Sequence, residues 1–266
     1  MSIGTNMPRL SLGKITQAIT AIAPFICLTA IVVSQSQEYK KSAQKLDYQN
    51  YLSQEEQEAK LIEFKQQTPH LGFDNLVADW SYLNFVQYFG DAHARKTIGY
   101  RLVPKYFETI TDIDPRFTQA HLRLSIANSM YAGDAEKTIA LMEKVLASVD
   151  PESKDSALLW TSKGLDELLF LGNKEAAIKS YKIAAQWAEL SNDLYDYGFT
   201  VRDLAEALES TNEIDLKAAQ IRAWSSVLVH IRDNQKKKEI VDKIDNLKAE
   251  ILVLEKIAEQ SGDITN

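Results

Sequence analysis

Two Asp-Pro pairs, Asp114-Pro115 and Asp150-Pro151, stand 36 residues apart, and each follows an earlier Gly-Asp turn, at Gly90-Asp91 and at Gly133-Asp134. Proline cannot continue a helix, and Gly-Asp marks a tight turn. The order is therefore helix, Gly-Asp turn, second helix, Asp-Pro stop, and then the same again. A period in the thirties means stacked helical hairpins, because one hairpin alone leaves an apolar face uncovered. This spacing constrains the fold more than any other feature of the chain.

The rest of the chain agrees with it. Only 10 Gly and 6 Pro occur in 266 residues, too few breakers for the many turns of a β fold. No segment alternates apolar and polar residues with the period of a half-buried strand. Helices are expected over 73–89, 102–113, 117–131, 135–149, 156–170, 174–190, 194–209, 215–231 and 236–259, and the fold class is all-α. Gly172-Asn173 is a further turn marker.

Within the hairpins the sequence resembles the tetratricopeptide-repeat (TPR) family. In "GNKEAAIKSYKIAAQWAE" Gly172 stands at the turn and Ala177, Tyr181 and Ala184 follow at the family's small-large-small spacing. The preceding helix supplies Trp160 and Gly164, four apart as in the family. "AHLRLSIANSMYAGDAEKTIALMEKVLASVDP" matches in length and ending, with Arg123 in the Trp slot and Ala127 in the Gly slot. "DWSYLNFVQYFGD" gives Trp80 and Leu83, with Asn84 where the family has Gly, and about eight extra residues follow around "DAHARKTIG". The hairpin with Trp224 and Val227 departs most. The resemblance covers residues 72–231. The whole plan is similar to that of membrane-anchored TPR proteins of bacteria, cyanobacteria above all.

What the resemblance implies for binding is a concave face lined by the first helices of the hairpins. It points to Asn84, Gln87 and Tyr88 in the first unit and to His121, Arg123, Leu124, Ser125, Asn128 and Tyr131 in the second. Arg123 with Asn128 suits a peptide carboxylate, but the paired Lys/Asn pattern of the family's carboxylate clamp is incomplete.

Ahead of the repeats, "ITQAITAIAPFICLTAIVV" (15–33) carries no charge. As a helix it would span about 28 Å, near the thickness of the hydrocarbon layer. Arg9 and Lys14 precede it and no clear cleavage site follows, so it reads as an uncleaved single-pass anchor behind a tail over 1–14. With a short tail kept in the cytoplasm, the C-terminal domain lies outside. Residues 34–71 are polar and read as a helical stalk, with Ser53 and Glu56 at capping-box spacing for a helix beginning near Gln54. The last segment, 232–266, carries Ile240, Ile244, Leu247, Ile251, Leu254 and Ala258 at heptad spacing. It is either a helix that caps the end of the array or a seam for self-association. Lys236, Lys237 and Lys238 open it as a solvated start or a contact for anionic lipid.

The stretch "GFDNLVADWSYLNFVQYFGD" (72–91) raises its own question. On a helical wheel Phe73, Leu76, Val77, Trp80, Leu83 and Tyr88 gather on one side, and Ala78, Tyr82, Phe85 and Phe89 on another. Two apolar sides fit a helix wedged between two neighbours, with both sides in the core.

Chemistry is not visible in the sequence. No two of His70, His93, His121 and His230 stand three or four apart, and the single Cys27 permits no intramolecular disulfide or Cys-based zinc site. Nucleotide, hydrolase and metalloprotease motifs are missing. The net charge of −7 disfavours nucleic acid, which needs a cationic face. The reading is a non-enzymatic, membrane-anchored scaffold or assembly factor, without cofactor or metal, that docks other proteins of a membrane complex. The alternative is a ligand- or lipid-binding helical domain, or an enzyme of unrecognised type, with a pocket between hairpins near Trp80, Asn84 and Gln87.

Overall fold

A computed structural model describes residues 28–33, 48–191, 193–231 and 233–261. All regular structure among them is helical. The expected tail, most of the anchor and residues 34–47 lie outside the described residues. Residues 28–33 are helical, and no helix among the described residues is long and apolar enough to cross a membrane.

The described residues from 52 onward pack as one unit. Its helices are α1 (Tyr48–Gln67), α2 (Asp74–Gly90), α3 (Ala92–Ile98), α4 (Val103–Ile113) and α5 (Thr118–His121). After a π-helical segment (Ser125–Ala132) come α6 (Ala135–Leu146), α7 (Lys154–Leu169), α8 (Lys174–Leu190), α9 (Tyr195–Glu209), α10 (Glu213–His230) and α11 (Asn234–Ser261). The expected stops do end helices. Asp134 accepts from Lys137 N–H and Asn173 from Ala176 N–H, capping α6 and α8. Gly133 and Gly172 take the left-handed backbone their turns require (φ 78° and 63°).

Helical-hairpin packing is clearest for α7 with α8 and α8 with α9. Ala177 and Ala184 are fully buried, and Tyr181 lies between them at 2% exposure. A Cβ at Gly164 would stand 2.8 Å from the Tyr181 ring. The small residues thus let two helices approach, and the ring fills the space left.

Three expectations need correction. First, α1 is not a stalk. Ile62 is buried in a core cluster with Phe85, Tyr106, Phe107, Leu124 and Met142, and Glu55 near the other end of α1 is buried too, so α1 packs onto the domain. It also begins at Tyr48, leaving Ser53 inside the helix where it caps nothing. Second, the eight extra residues after α2 are not a loop. Asp91 accepts from His93 and Ala94 N–H groups, and that cap starts the helix α3. Third, the expected helix over 117–131 breaks into α5 and the π segment. There the N–H groups of Gly133 and Asp134 return to Asn128 O. Wider turns of this kind rotate every later side chain off the 3.6-residue wheel.

The C-terminal pair α10 and α11 does not extend the stack in one direction. Trp224 of α10 and Ile240 and Ile244 of α11 share a core cluster with Met130 of the π segment and Leu169 of α7. The heptad positions Ile240 and Ile244 of α11 therefore pack onto the domain. Ile251, Leu254 and Ala258 are only half-buried.

Candidate functional site

The face expected to receive a partner is largely interior. His121 and Leu124 have no exposed surface, and Asn128 none either. His121 Nδ1 donates to Phe117 O at 2.7 Å, and Nε2 stands 2.8 Å from the Thr111 hydroxyl. Asn128 donates to Asp134 O and Thr138 Oγ1 and so holds the π turn to α6. Ser125 donates to Asp166 at 2.5 Å. Tyr131 packs on Phe89 and Tyr100, with the Lys236 ammonium 5.6 Å from its ring. Arg123 alone of this group is exposed. Two physical causes account for the miss: α4, α6 and α7 already pack against His121, Leu124, Ser125 and Asn128, and α11 reaches Met130 and Tyr131. In the first unit Gln87 is exposed and Asn84 half-buried. The Asn84 amide oxygen accepts from Trp80 Nε1 at 3.3 Å and from Lys65 Nζ. Tyr88 is committed to Glu55.

The wheel of α2 did find two apolar sides, but only one is covered. Ala78 and Phe85 are buried, with Tyr82 and Phe89 beside them. On the other side Leu76 is 64% exposed, Trp80 59% and Leu83 54%. These three stand at i, i+4 and i+7, one ridge of a helix. Phe73 at the start of α2, Leu71 in the preceding turn and Leu61 and Phe64 on α1 are exposed as well. A set of exposed large apolar side chains on two successive helices is a candidate contact surface. The sequence signal for this surface was present. What it lacked was the knowledge that no earlier hairpin among the described residues covers the outer side of α2.

A second feature was invisible in the sequence. The Glu55 carboxylate, 4% exposed, accepts from the Tyr88 hydroxyl at 2.7 Å and from Arg101 Nε at 2.9 Å, and Arg95 Nη1 lies 3.4 Å away. Arg95 also donates to Gly99 O at 2.6 Å, and its guanidinium lies over the Tyr88 ring, 3.5 Å from the centroid. Burial raises the Tyr88 hydroxyl well above its ordinary pKa, so it stays a neutral donor.

No protein-family model, curated protein or solved structure matches the chain. The reading of function therefore rests on its own geometry.

A third cluster ties the π segment to α7. Ser125 and Ser129 each donate to Asp166, at 2.5 and 2.6 Å. Beside it Lys163 donates to Glu167 at 2.5 Å, and Ser180 donates to the other Glu167 oxygen at 2.6 Å. Asp166 has no exposed surface, so no substrate reaches it and its role is structural. Burial pushes its carboxyl up to about 6 despite the two serines, with the Glu167 charge adding to the rise. Burial pushes His121 the opposite way, down to about 4, against the opposing pull of Phe117 O and Asp114. Among the described residues no group of His, Cys, Asp and Glu is placed to hold a metal ion.

These two groups predict a pH signature. Asp166 is raised in the folded state, so its stabilising contribution is full below the unfolded value near 4 and is lost as pH rises through about 6. His121 is depressed, so its contribution is full above about 6.5 and is lost as pH falls toward 4. Each shift corresponds to about 3 kcal/mol. The two slopes oppose each other, and Asp166→Asn removes one of them. On acidification from pH 7 to pH 4 the variant should lose about 3 kcal/mol more stability than the parent, read from urea midpoints. Parallel curves for the two proteins would rule out this account of Asp166.

Proposed function

We propose that this protein is a membrane-anchored, TPR-like helical scaffold that docks a helix of another membrane-complex subunit on the outer face of α1 and α2. The observation that carries the reading is the exposed ridge Leu76, Trp80 and Leu83. A ridge at i, i+4 and i+7 fits the groove of a second helix at an axial separation of about 8–10 Å. Leu61, Phe64, Leu71 and Phe73 are further exposed apolar side chains on α1 and at the start of α2. The uncharged run 15–33 supports the anchor, and a short N-terminal tail kept in the cytoplasm supports placement of the domain on the outer side of the membrane. Trp80 suits the centre of such a contact, because truncating buried aromatic anchors typically costs a complex most.

The test uses the full chain in its native membrane. A photoreactive side chain at Leu83 should give an adduct of one defined mass, and Trp80→Asp should lower its yield about tenfold, a loss of ~1.4 kcal/mol in affinity. Trp80 is exposed, so the substitution should move stability by less than about 0.5 kcal/mol. Unchanged yield in Trp80→Asp, or an adduct of twice the chain mass, would refute the docking of a different subunit.

A further inference from the structure

We infer that the helix docked on α1 and α2 carries a carboxylate that pairs with Lys65, which rests on the docking reading and names the chemistry of its partner. Lys65 stands in the last turn of α1 and is half-buried. Its ammonium donates to the Asn84 amide oxygen, which also accepts from Trp80 Nε1 at 3.3 Å. One shared acceptor therefore places the ammonium beside the indole of the exposed ridge. Leu61, one turn earlier on α1, and Phe64, the preceding residue, are exposed apolar side chains. The cation thus lies where the apolar side chains of the two helices meet.

This charge is not matched within the chain. Among the described residues no carboxylate pairs with Lys65, because its neighbours are committed elsewhere: Glu58 accepts from the Tyr106 hydroxyl, Glu63 pairs with Lys105, and Asp74 stands 2.9 Å from His70 Nδ1. Burial pulls Lys65 below the ordinary lysine pKa, against the opposing charge of Glu58. The ammonium has therefore already lost part of its water, and a neutral amide is its acceptor. It stays solvated only on its open side. A helix laid over Trp80 removes that side. A charge covered without a counter-charge weakens a complex, whereas a carboxylate opposite it offsets the lost hydration and fixes the register of the two helices. A wholly apolar helix is rejected on this ground, and one with an Asp or Glu among its apolar side chains is selected.

The test keeps the full chain in its native membrane, with the photoreactive side chain at Leu83. Lys65→Met keeps the length of the side chain and removes the charge. A partner carboxylate then loses its counter-charge, and the photoadduct yield should fall about tenfold. A partner without a carboxylate would instead dock as well or better, since no charge is buried. A water-soluble carbodiimide joins an amine to a carboxylate in contact with it as an amide, and should link the partner to Lys65 of the parent, mapped by peptide mass. Lys65→Arg keeps the charge and should keep the photoadduct, but its guanidinium is not acylated and the link is lost. The carbodiimide result stands even where Lys65→Met alters stability. A photoadduct undiminished in Lys65→Met, or a parent with no carbodiimide link at Lys65, overturns this inference and leaves the docking reading standing. A parent with no photoadduct, or with one of twice the chain mass, ends both.

Discussion

Glu55→Ala should lower the free energy of unfolding by about 3–5 kcal/mol, the cost of removing one partner from a buried ion pair. The Arg95 side chain is 5% exposed and cannot turn into water when the carboxylate is gone. Tyr88 loses the acceptor for its hydroxyl at the same time. Arg101 behaves differently. Its side chain is 58% exposed, so Arg101→Ala should cost about 0–1 kcal/mol. Glu55→Gln keeps the shape and an acceptor but removes the charge, and should fall between the two. Urea unfolding followed by circular dichroism measures all three. A Glu55→Ala loss below about 1 kcal/mol would mean that Arg95 finds another partner, and the cluster would not be what fixes α3 and α4 against α1.

Tyr181→Ala should cost about 3–5 kcal/mol, the range for removing a large ring from a core that cannot collapse. The ring lies between α7 and α8 and touches the site where Gly164 has no side chain. Gly164→Ala places a methyl 2.8 Å from Cε1 and 2.9 Å from Cδ1 of that ring. Overpacking of this kind costs about 1–3 kcal/mol, partly offset by the roughly 1 kcal/mol better helix propensity of Ala. The two effects share one space and so should not add. In a Tyr181→Ala background Gly164→Ala should become neutral or stabilising, since the methyl then enters a cavity. A double-mutant cycle by thermal or urea unfolding reads the coupling. Strict additivity would show that Gly164 is not what admits the Tyr181 ring.

Local signals carried most of the architecture. The turns at Gly133-Asp134 and Gly172-Asn173 fall where the residue types put them, and helix 174–190 was read to both ends, because a capping Asn and the Ala177-Tyr181-Ala184 spacing act within one or two turns. The failures have one common cause, which is that they depend on what comes next to an element. The wheel for α2 placed Trp80 among apolar neighbours correctly, but periodicity does not say which apolar side a later segment covers. Residues 48–67 read as a stalk because a polar composition hides a few inward contacts such as Ile62. The π segment depends on Asn128 reaching Asp134 and Thr138, and a wheel with fixed pitch has no place for it. Arg95 and Glu55 are 40 residues apart, and neither carries a motif. The binding residues His121, Leu124, Ser125 and Asn128 turn inward because α4, α6 and α7 pack against them, His121 on Thr111, Ser125 on Asp166 and Asn128 on Thr138.

The contacts of Tyr131 have a consequence for how such a chain can change over time. Open solenoids are modular, since each unit touches only its neighbours and units can be gained or lost one by one. Here Tyr131 of the π segment touches Tyr100, which follows α3, and carries the Lys236 ammonium of α11 over its ring. Segments far apart along the chain are thereby tied to one another past the units between them. Inserting or deleting one hairpin would pull these contacts out of register, so the domain should melt as a single cooperative body and keep its length while its surface diverges.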